Sequence, residues 1–239
     1  MDKKDAILVL KDGTVMKGKG IGKEGMTYGE IVFNTSMTGY EEAITDPSYK
    51  YQILLFTYPL IGNYGVNFEN FESEKIQCNG IIVKESCEKF SHPFAKKSLN
   101  EFLKENNITG ISNVDTRFLT RKIRNFGVMN GLIKFPHNEK EIDELKEKAK
   151  NLPDISELDL VREVTTKEVK FHYANEDKSK NKRKVVLIDC GEKRSIIRKI
   201  LEKGIDVIQV PAFYDAEKIL EFDPDGIIVS NGPGDPIKA

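Results

Sequence analysis

A glycine-rich loop near the end of the sequence has the residue types of a ligand-binding site. Residues 230–236 read Ser-Asn-Gly-Pro-Gly-Asp-Pro and follow an apolar, β-branched run at 226–229. That run predicts a buried parallel strand, and open α/β sheets bind ligands at the carboxyl ends of such strands. Gly232 and Gly234 would let backbone N–H groups turn toward a ligand. Taken alone, the loop also fits an ordinary strand-to-helix turn.

A cysteine stands at a comparable position after an earlier apolar run. Cys190 lies between Asp189 and Gly191. A nucleophilic thiol needs a neighbouring base and usually a strained elbow flanked by glycines, and no histidine follows His172. We therefore interpret Cys190 as a small, partly buried thiol. The three cysteines and three histidines are scattered, so the sequence predicts neither a disulfide framework nor a metal site.

Two motifs that suggest nucleotide or phosphate binding have simpler explanations. Residues 20–25 spell the Gly-x-Gly-x-x-Gly fingerprint, but the residues that follow read as a strand, and the fingerprint needs a helix there. We therefore reject it. Arg117, Arg121, Lys122 and Arg124 make one predicted helix basic, which is more typical of a solvated face or of intersubunit ion pairs than of a phosphate site.

The elements that must position these residues fall into two regions. Strict alternation after residue 184 predicts a βαβαβ unit with a parallel sheet and right-handed crossovers, its strands at 185–188, 206–210 and 226–229 and its helices at 195–201 and 216–220. Upstream, the pattern predicts hairpin strands from residue 6 to residue 33 with a turn at 11–13, and strands at 52–57 and 80–83. Ser98 with Glu101 forms a capping box, Asp115 can cap a helix that ends at Gly127, and residues 142–149 carry a narrow apolar stripe.

Composition and charge set the class and the domain organisation. Lys plus Arg number 37 against 38 Asp plus Glu, so no overall field recruits nucleic acid or an anionic membrane. No signal-peptide or membrane-spanning stretch is present in the sequence, and we expect a cytoplasmic protein. Residues 175–184 contain no apolar side chain and read as an exposed linker. We predict an α/β protein overall, with a β-rich mixed domain at 1–174 and an α/β part at 185–239.

Three segments carry a resemblance to a known family. They are residues 33–49 (FNTSMTGYEEAITDPSY), residues 57–65 (TYPLIGNYG) and residues 114–121 (VDTRFLTR). In this order they resemble the small, glutamine-hydrolysing subunit of carbamoyl-phosphate synthetase. The 230–236 loop resembles the first glycine-rich loop of class I glutamine amidotransferase domains, so residues 185–239 would be the first βαβαβ part of such a domain.

The resemblance implies a function and a set of site residues. Family members bind L-glutamine between two domains, attack its side-chain amide with a cysteine, and pass ammonia to a large subunit that makes carbamoyl phosphate with ATP and Mg²⁺. Ser48 resembles the glutamine-contacting serine, and Gly232 and Gly234 resemble the glycine-loop contacts, with the Gly232 N–H helping to hold the oxyanion. The nucleophilic elbow and its His and Glu partners would fall after Ala239, so no catalytic residue is assigned within the chain. Cys190 stands where the family commonly has an aromatic residue, and Ser195 where it usually has Asn.

Two alternatives remain open from the sequence. In the first, the chain is a non-catalytic module that docks the large subunit. In the second, it is a nucleotide-binding α/β protein, which predicts a helix directly after Gly25.

Overall fold

The computed structural model describes residues 4–175 and 183–236 and divides the chain into two compact units. The first comprises Met1–Thr45 and Tyr51–Glu157, and the second comprises Asp46–Lys50 and Leu158–Ala239. Most of the linker predicted at 175–184 lies outside the described residues. The predicted domain boundary at residue 174 stays a prediction.

The first unit is built on a closed sheet. The strands of this unit are β1 (Asp5–Leu10), β2 (Val15–Gly22), β3 (Gly25–Asn34), β4 (Gln52–Phe56), β5 (Leu60–Ile61), β6 (Gly80–Ile82), β7 (Glu85–Ser86), β8 (Thr109–Ser112) and β9 (Met129–Phe135). The order in the closed sheet is β1-β2-β8-β6-β4-β3-β9, with β9 pairing back onto β1, and the β4-β6 and β6-β8 pairs are parallel. A separate pair joins β5 and β7.

The α-helices described in this unit are α1 (Tyr40–Thr45), α2 (Leu99–Glu105), α3 (Thr116–Phe126) and α4 (Ile142–Lys150), and local signals account for the last three. The predicted capping box is present, because the Ser98 side chain accepts from Glu101 N and the Glu101 carboxylate accepts from Ser98 N. Asp115 caps α3 by accepting from Phe118 N at 2.9 Å, and α3 ends at Gly127 with φ of +88°. The helices predicted from caps and apolar stripes are therefore confirmed.

The glycines at 20–25 serve the packing of the closed sheet. A side chain at Gly20 would place its Cβ 2.1 Å from the Phe135 ring. Gly22 has φ of +75°, and its Cβ would lie 2.2 Å from the Ile108 carbonyl oxygen. Gly25 begins β3, so a strand stands where the nucleotide-binding alternative requires a helix. Our rejection of the fingerprint is confirmed.

The second unit contains the predicted βαβαβ pattern. Its elements are α5 (Val161–Val164), β10 (Lys170–His172), β11 (Arg183–Asp189), α6 (Arg194–Leu201), β12 (Ile205–Pro211), α7 (Ala216–Glu221) and β13 (Gly226–Val229). The sheet order is β10-β12-β11-β13, with β11 parallel to both β12 and β13. Helix α6 packs on one face of the sheet and α7 on the other.

Two features of this sheet differ from the sequence prediction. β10 adds an antiparallel edge that was not predicted, because a three-residue strand with mostly exposed residues shows no periodicity in the sequence. The expected burial of β13 is wrong for this chain, since Ile227 is 49% exposed and Val229 is 67% exposed. β13 pairs only with β11 among the described strands, so it is an edge strand there.

The described helices include none that is both long enough and apolar enough to cross a membrane.

A buried carboxylate in α1 organises the loop that follows β5. Glu41 is wholly buried and accepts hydrogen bonds from Asn67 N and, at 2.8 Å, from Asn70 Nδ2. Burial raises the pKa of the Glu41 carboxyl above its ordinary value, and the two donated hydrogen bonds oppose that rise. The folded chain therefore keeps this proton to a higher pH than the unfolded chain, so the free energy of unfolding falls as pH rises through that window.

We expect the free energy of unfolding to depend less on pH in Glu41→Gln than in the unchanged chain. Between pH 5 and pH 8 it should fall less in the variant. Glutamine keeps an acceptor for Asn67 N and removes the cost of burying a charge. Urea unfolding followed by circular dichroism at the two pH values measures this effect. Glu41→Ala should instead lose about 1–3 kcal/mol at both, because two donors lose their acceptor. Glu144→Gln, at an exposed position of α4, is the matched control, and an identical pH response in both Gln variants would contradict the expectation.

Candidate functional site

Two loops meet at the carboxyl ends of β11 and β13. Because these strands are parallel neighbours, the loops that follow them lie at the same edge of the sheet. Ser230 N donates to the Ile188 carbonyl at 3.0 Å, which continues the strand pairing by one residue. Cys190 N then donates to Ser230 Oγ at 2.9 Å. The start of the 230–236 loop is therefore anchored to the end of β11.

The two glycines of this loop are required for different reasons. A Cβ on Gly232 would lie 2.1 Å from the Cys190 carbonyl oxygen, so only glycine permits this close backbone approach. Gly234 has φ of +79°, a left-handed conformation that other residues rarely adopt. Within the described residues, neither glycine N–H donates to an acceptor. Both N–H groups are available to a ligand.

The segment that contains Ser48 belongs to the same compact unit as this loop. Asp46 caps a short 3₁₀ helix, Pro47–Tyr49, by accepting from Ser48 N at 2.9 Å. Asn231 Nδ2 donates to Ser48 Oγ at 2.6 Å. The structure thus brings Ser48 together with the residue directly before Gly232, although the two lie far apart in the sequence.

An ion pair also ties the 46–50 segment to the loop after β11. Lys193 Nζ lies 2.6 Å from Asp46 Oδ2, and the Asp46 side chain is almost fully buried. Lys193 and Asn231 are site residues that were not predicted from the sequence. Each stands in a loop with a recognisable pattern, but its partner lies in the distant 46–50 segment, so no local pattern could reveal the pairing.

A buried carboxylate shapes the loop after β11. Asp189 Oδ1 accepts from Gly191 N and Glu192 N, each at 2.9 Å. Asp189 Oδ2 accepts from Thr166 N at 2.8 Å and from Gln209 Nε2 at 2.9 Å. Four donors to one buried carboxylate fix the backbone that Gly232 packs against.

Cys190 has the properties of a structural thiol. Its side chain is buried, and burial, assisted by the nearby Asp189 charge, raises the pKa of the thiol above its ordinary value. At neutral pH the group is therefore a neutral thiol, which is a poor nucleophile. These observations support our interpretation of Cys190.

Two protein-family models match this chain. The model of the carbamoyl-phosphate synthase small chain, CPSase domain, matches residues 8–133. The chain belongs to the carbamoyl-phosphate synthase small chain family. The model of class-I glutamine amidotransferases matches residues 186–239, which include both loops of the site. The resemblance stated from the sequence is therefore confirmed, as is the mixed α/β fold.

Small chains from three organisms resemble this protein over nearly all of its length. The carbamoyl phosphate synthase small chain of Methanococcus maripaludis strain C6 is 52% identical over 233 residues, which cover 96% of this chain and 60% of the relative. That of Methanocaldococcus jannaschii is 49% identical, covering 98% and 63%. That of Aquifex aeolicus is 48% identical, covering 98% and 65%. The chain thus spans less than two thirds of the length of these curated relatives.

Proposed function

We propose that this chain carries part of the glutamine site of a carbamoyl-phosphate synthase small chain. In the complete subunit, glutamine hydrolysis would release ammonia for a large chain, which would use ATP and Mg²⁺ to make carbamoyl phosphate. The observation that carries the proposal is the 2.6 Å hydrogen bond between Asn231 Nδ2 and Ser48 Oγ. It joins the two segments that the family resemblance assigns to glutamine binding.

The glycine loop supplies the electrostatic part of the chemistry. Attack on the side-chain amide of glutamine places negative charge on the carbonyl oxygen, and a preorganised backbone donor stabilises that charge. The Gly232 N–H has no acceptor among residues 4–175 and 183–236, and Asp189 and Cys190 fix the backbone behind it. We assign Gly232 as the oxyanion donor. We assign Gly234 as the residue whose left-handed backbone conformation sets the direction of the loop.

Ser48 supplies a polar contact to the substrate. Its oxygen accepts from Asn231, and its hydroxyl proton is donated to no acceptor within the part of the chain that the structure describes. A hydroxyl that accepts on one side is polarised toward donation on the other. We assign this proton to an oxygen of the bound glutamine.

We expect Ser48→Ala, introduced into the complete subunit, to raise the KM for glutamine by roughly 2- to 10-fold with little change in kcat. The variant loses one hydrogen bond worth about 0.5–1.5 kcal/mol. Steady-state glutaminase assays measure both constants. Carbamoyl phosphate synthesis from added ammonia should be unchanged, because it bypasses the glutamine site.

A double-mutant cycle distinguishes a substrate contact from a structural one. If Asn231 acts through Ser48, Asn231→Ala and the double variant should raise KM by no more than Ser48→Ala alone. Ser156→Ala, in the 3₁₀ helix Ile155–Glu157 of the first unit, is the matched control. Unaltered kcat and KM in the Ser48 variant would mean that the 46–50 segment makes only a turn.

A further inference from the structure

The outer face of α3 combines exposed aromatic rings with arginines. We define the α3 face as Arg117, Phe118, Arg121, Arg124 and Phe126, all of which are exposed. Phe118 is 49% exposed and Phe126 is 77% exposed. Both rings border a hollow of about 480 Å³, which Arg117 and Arg121 also line and Arg124 does not. A concave surface that exposes two phenylalanine rings is unusual for a merely solvated helix face.

The charge of this face is not neutralised within the described part of the chain. Arg117, Arg121 and Arg124 form no ion pair there. Lys122, by contrast, lies 2.6 Å from Asp12 Oδ2, and its ammonium also sits 5.5 Å from the centre of the Phe126 ring. These three exposed arginines therefore have no carboxylate partner among residues 4–175 and 183–236.

The helix that carries this face is held rigidly. Asp115 caps its first turn, and its inner side buries Leu119 and Ile123 in the core of the closed sheet. A preorganised helix loses little conformational freedom when a partner binds, so more of the interaction energy appears as affinity. Arginine and aromatic side chains are also the types enriched at the centres of protein interfaces.

We propose that the α3 face is a docking surface for an acidic protein surface with an apolar centre, located on the large chain of the synthase. This proposal rests on the pairing with a large chain stated under the proposed function. Carboxylates of the partner would pair with the three arginines, and its apolar centre would cover the two phenylalanine rings. Duplex nucleic acid fits the face less well, because Asp12 and Asp115 lie beside it and the chain has a net charge of −1.

The test measures binding of the 239-residue chain to the large chain of the same organism by biolayer interferometry. The charge-reversed variant is Arg117→Glu with Arg121→Glu, and the apolar variant is Phe118→Ser with Phe126→Ser. Lys140→Glu with Lys148→Glu makes the same charge change outside the α3 face and is the matched control. We expect each α3 variant to bind on the order of 100-fold more weakly, and the control to bind as the unchanged chain does. The unchanged chain should also weaken as salt increases from 50 to 300 mM.

Each other outcome overturns the inference in a recognisable way. If the unchanged chain binds and both α3 variants bind equally well, docking occurs elsewhere, and the proposed pairing survives. If the unchanged chain does not bind the large chain at all, both the pairing and the inference are wrong. If the unchanged chain binds a 20-base-pair DNA duplex and the charge-reversed variant does not, while both bind the large chain equally well, the face is a polyanion site. Circular dichroism checks folding, and Arg117→Gln with Arg121→Gln replaces the charge-reversed variant if that one misfolds.

Discussion

Replacing Gly232 by alanine is expected to reduce kcat for glutamine hydrolysis by about 10²- to 10³-fold in the complete subunit, which is the effect of losing one oxyanion donor. The added Cβ would lie 2.1 Å from the Cys190 carbonyl oxygen. That oxygen belongs to the backbone, so the loop itself must move. The movement would carry the Gly232 N–H away from the position of the developing oxyanion.

The expected result comes with a matched glycine control. Gly226 begins β13, and its Cβ would approach Val185 no closer than 3.8 Å. Gly226→Ala should therefore leave kcat within a few-fold of the unchanged subunit. Synthesis of carbamoyl phosphate from added ammonia should survive in both variants. Equal kcat in the two alanine variants would show that Gly232 is only part of a structural turn.

A polypeptide consisting of Met1–Ala239 alone is expected to hydrolyse glutamine no faster than background. Oxyanion donors without a nucleophile and its base leave only weak residual catalysis, because these groups act as a unit. The only cysteine near the site, among the described residues, is the buried, neutral Cys190. Ammonia release measured with a coupled dehydrogenase assay, with the complete subunit as the positive control, tests the expectation.

The result also separates the two functional hypotheses for this polypeptide. Binding to the large chain without glutaminase activity is the outcome expected of a docking module. Turnover at a rate typical of enzymes would contradict our interpretation and would make Cys190 a candidate nucleophile. Cys190→Ser would then decide whether that thiol is responsible, with Cys87→Ser, at a partly exposed cysteine of the first unit, as the control.

Much of the secondary structure was predictable because its signals are local. The β1–β2 hairpin follows from an apolar run of strand length that leads into a turn in which Asp12 Oδ1 accepts from Thr14 N. The capping box at Ser98 and the cap at Asp115 mark α2 and α3 within a few residues. The βαβαβ pattern follows from apolar runs of strand length separated by helical periodicity. In each case the stabilising contacts lie within a few residues along the chain.

The pairing of the strands could not be predicted in the same way. Closure of the sheet through β1 and β9, the parallel pairs on either side of β6, and the antiparallel β10 all join residues distant in the sequence. A strand's own residues specify that it pairs, whereas its partner depends on how the whole apolar surface is buried. The exposure of β13 is likewise a property of its position in the sheet.

The candidate site, too, was predictable from the sequence only in part. The sequence by itself determined that residues 230–236 form a loop at the end of a parallel strand and, through family resemblance, which residues to examine. Only the tertiary structure decided that Asn231 donates to Ser48, that Lys193 pairs with Asp46, and that these contacts lie in one compact unit. It also showed that Gly232 is required by a carbonyl oxygen of another loop. Hydrogen bonds, ion pairs and close packing depend on distances in space, and the folded chain sets those distances between residues that no local pattern connects.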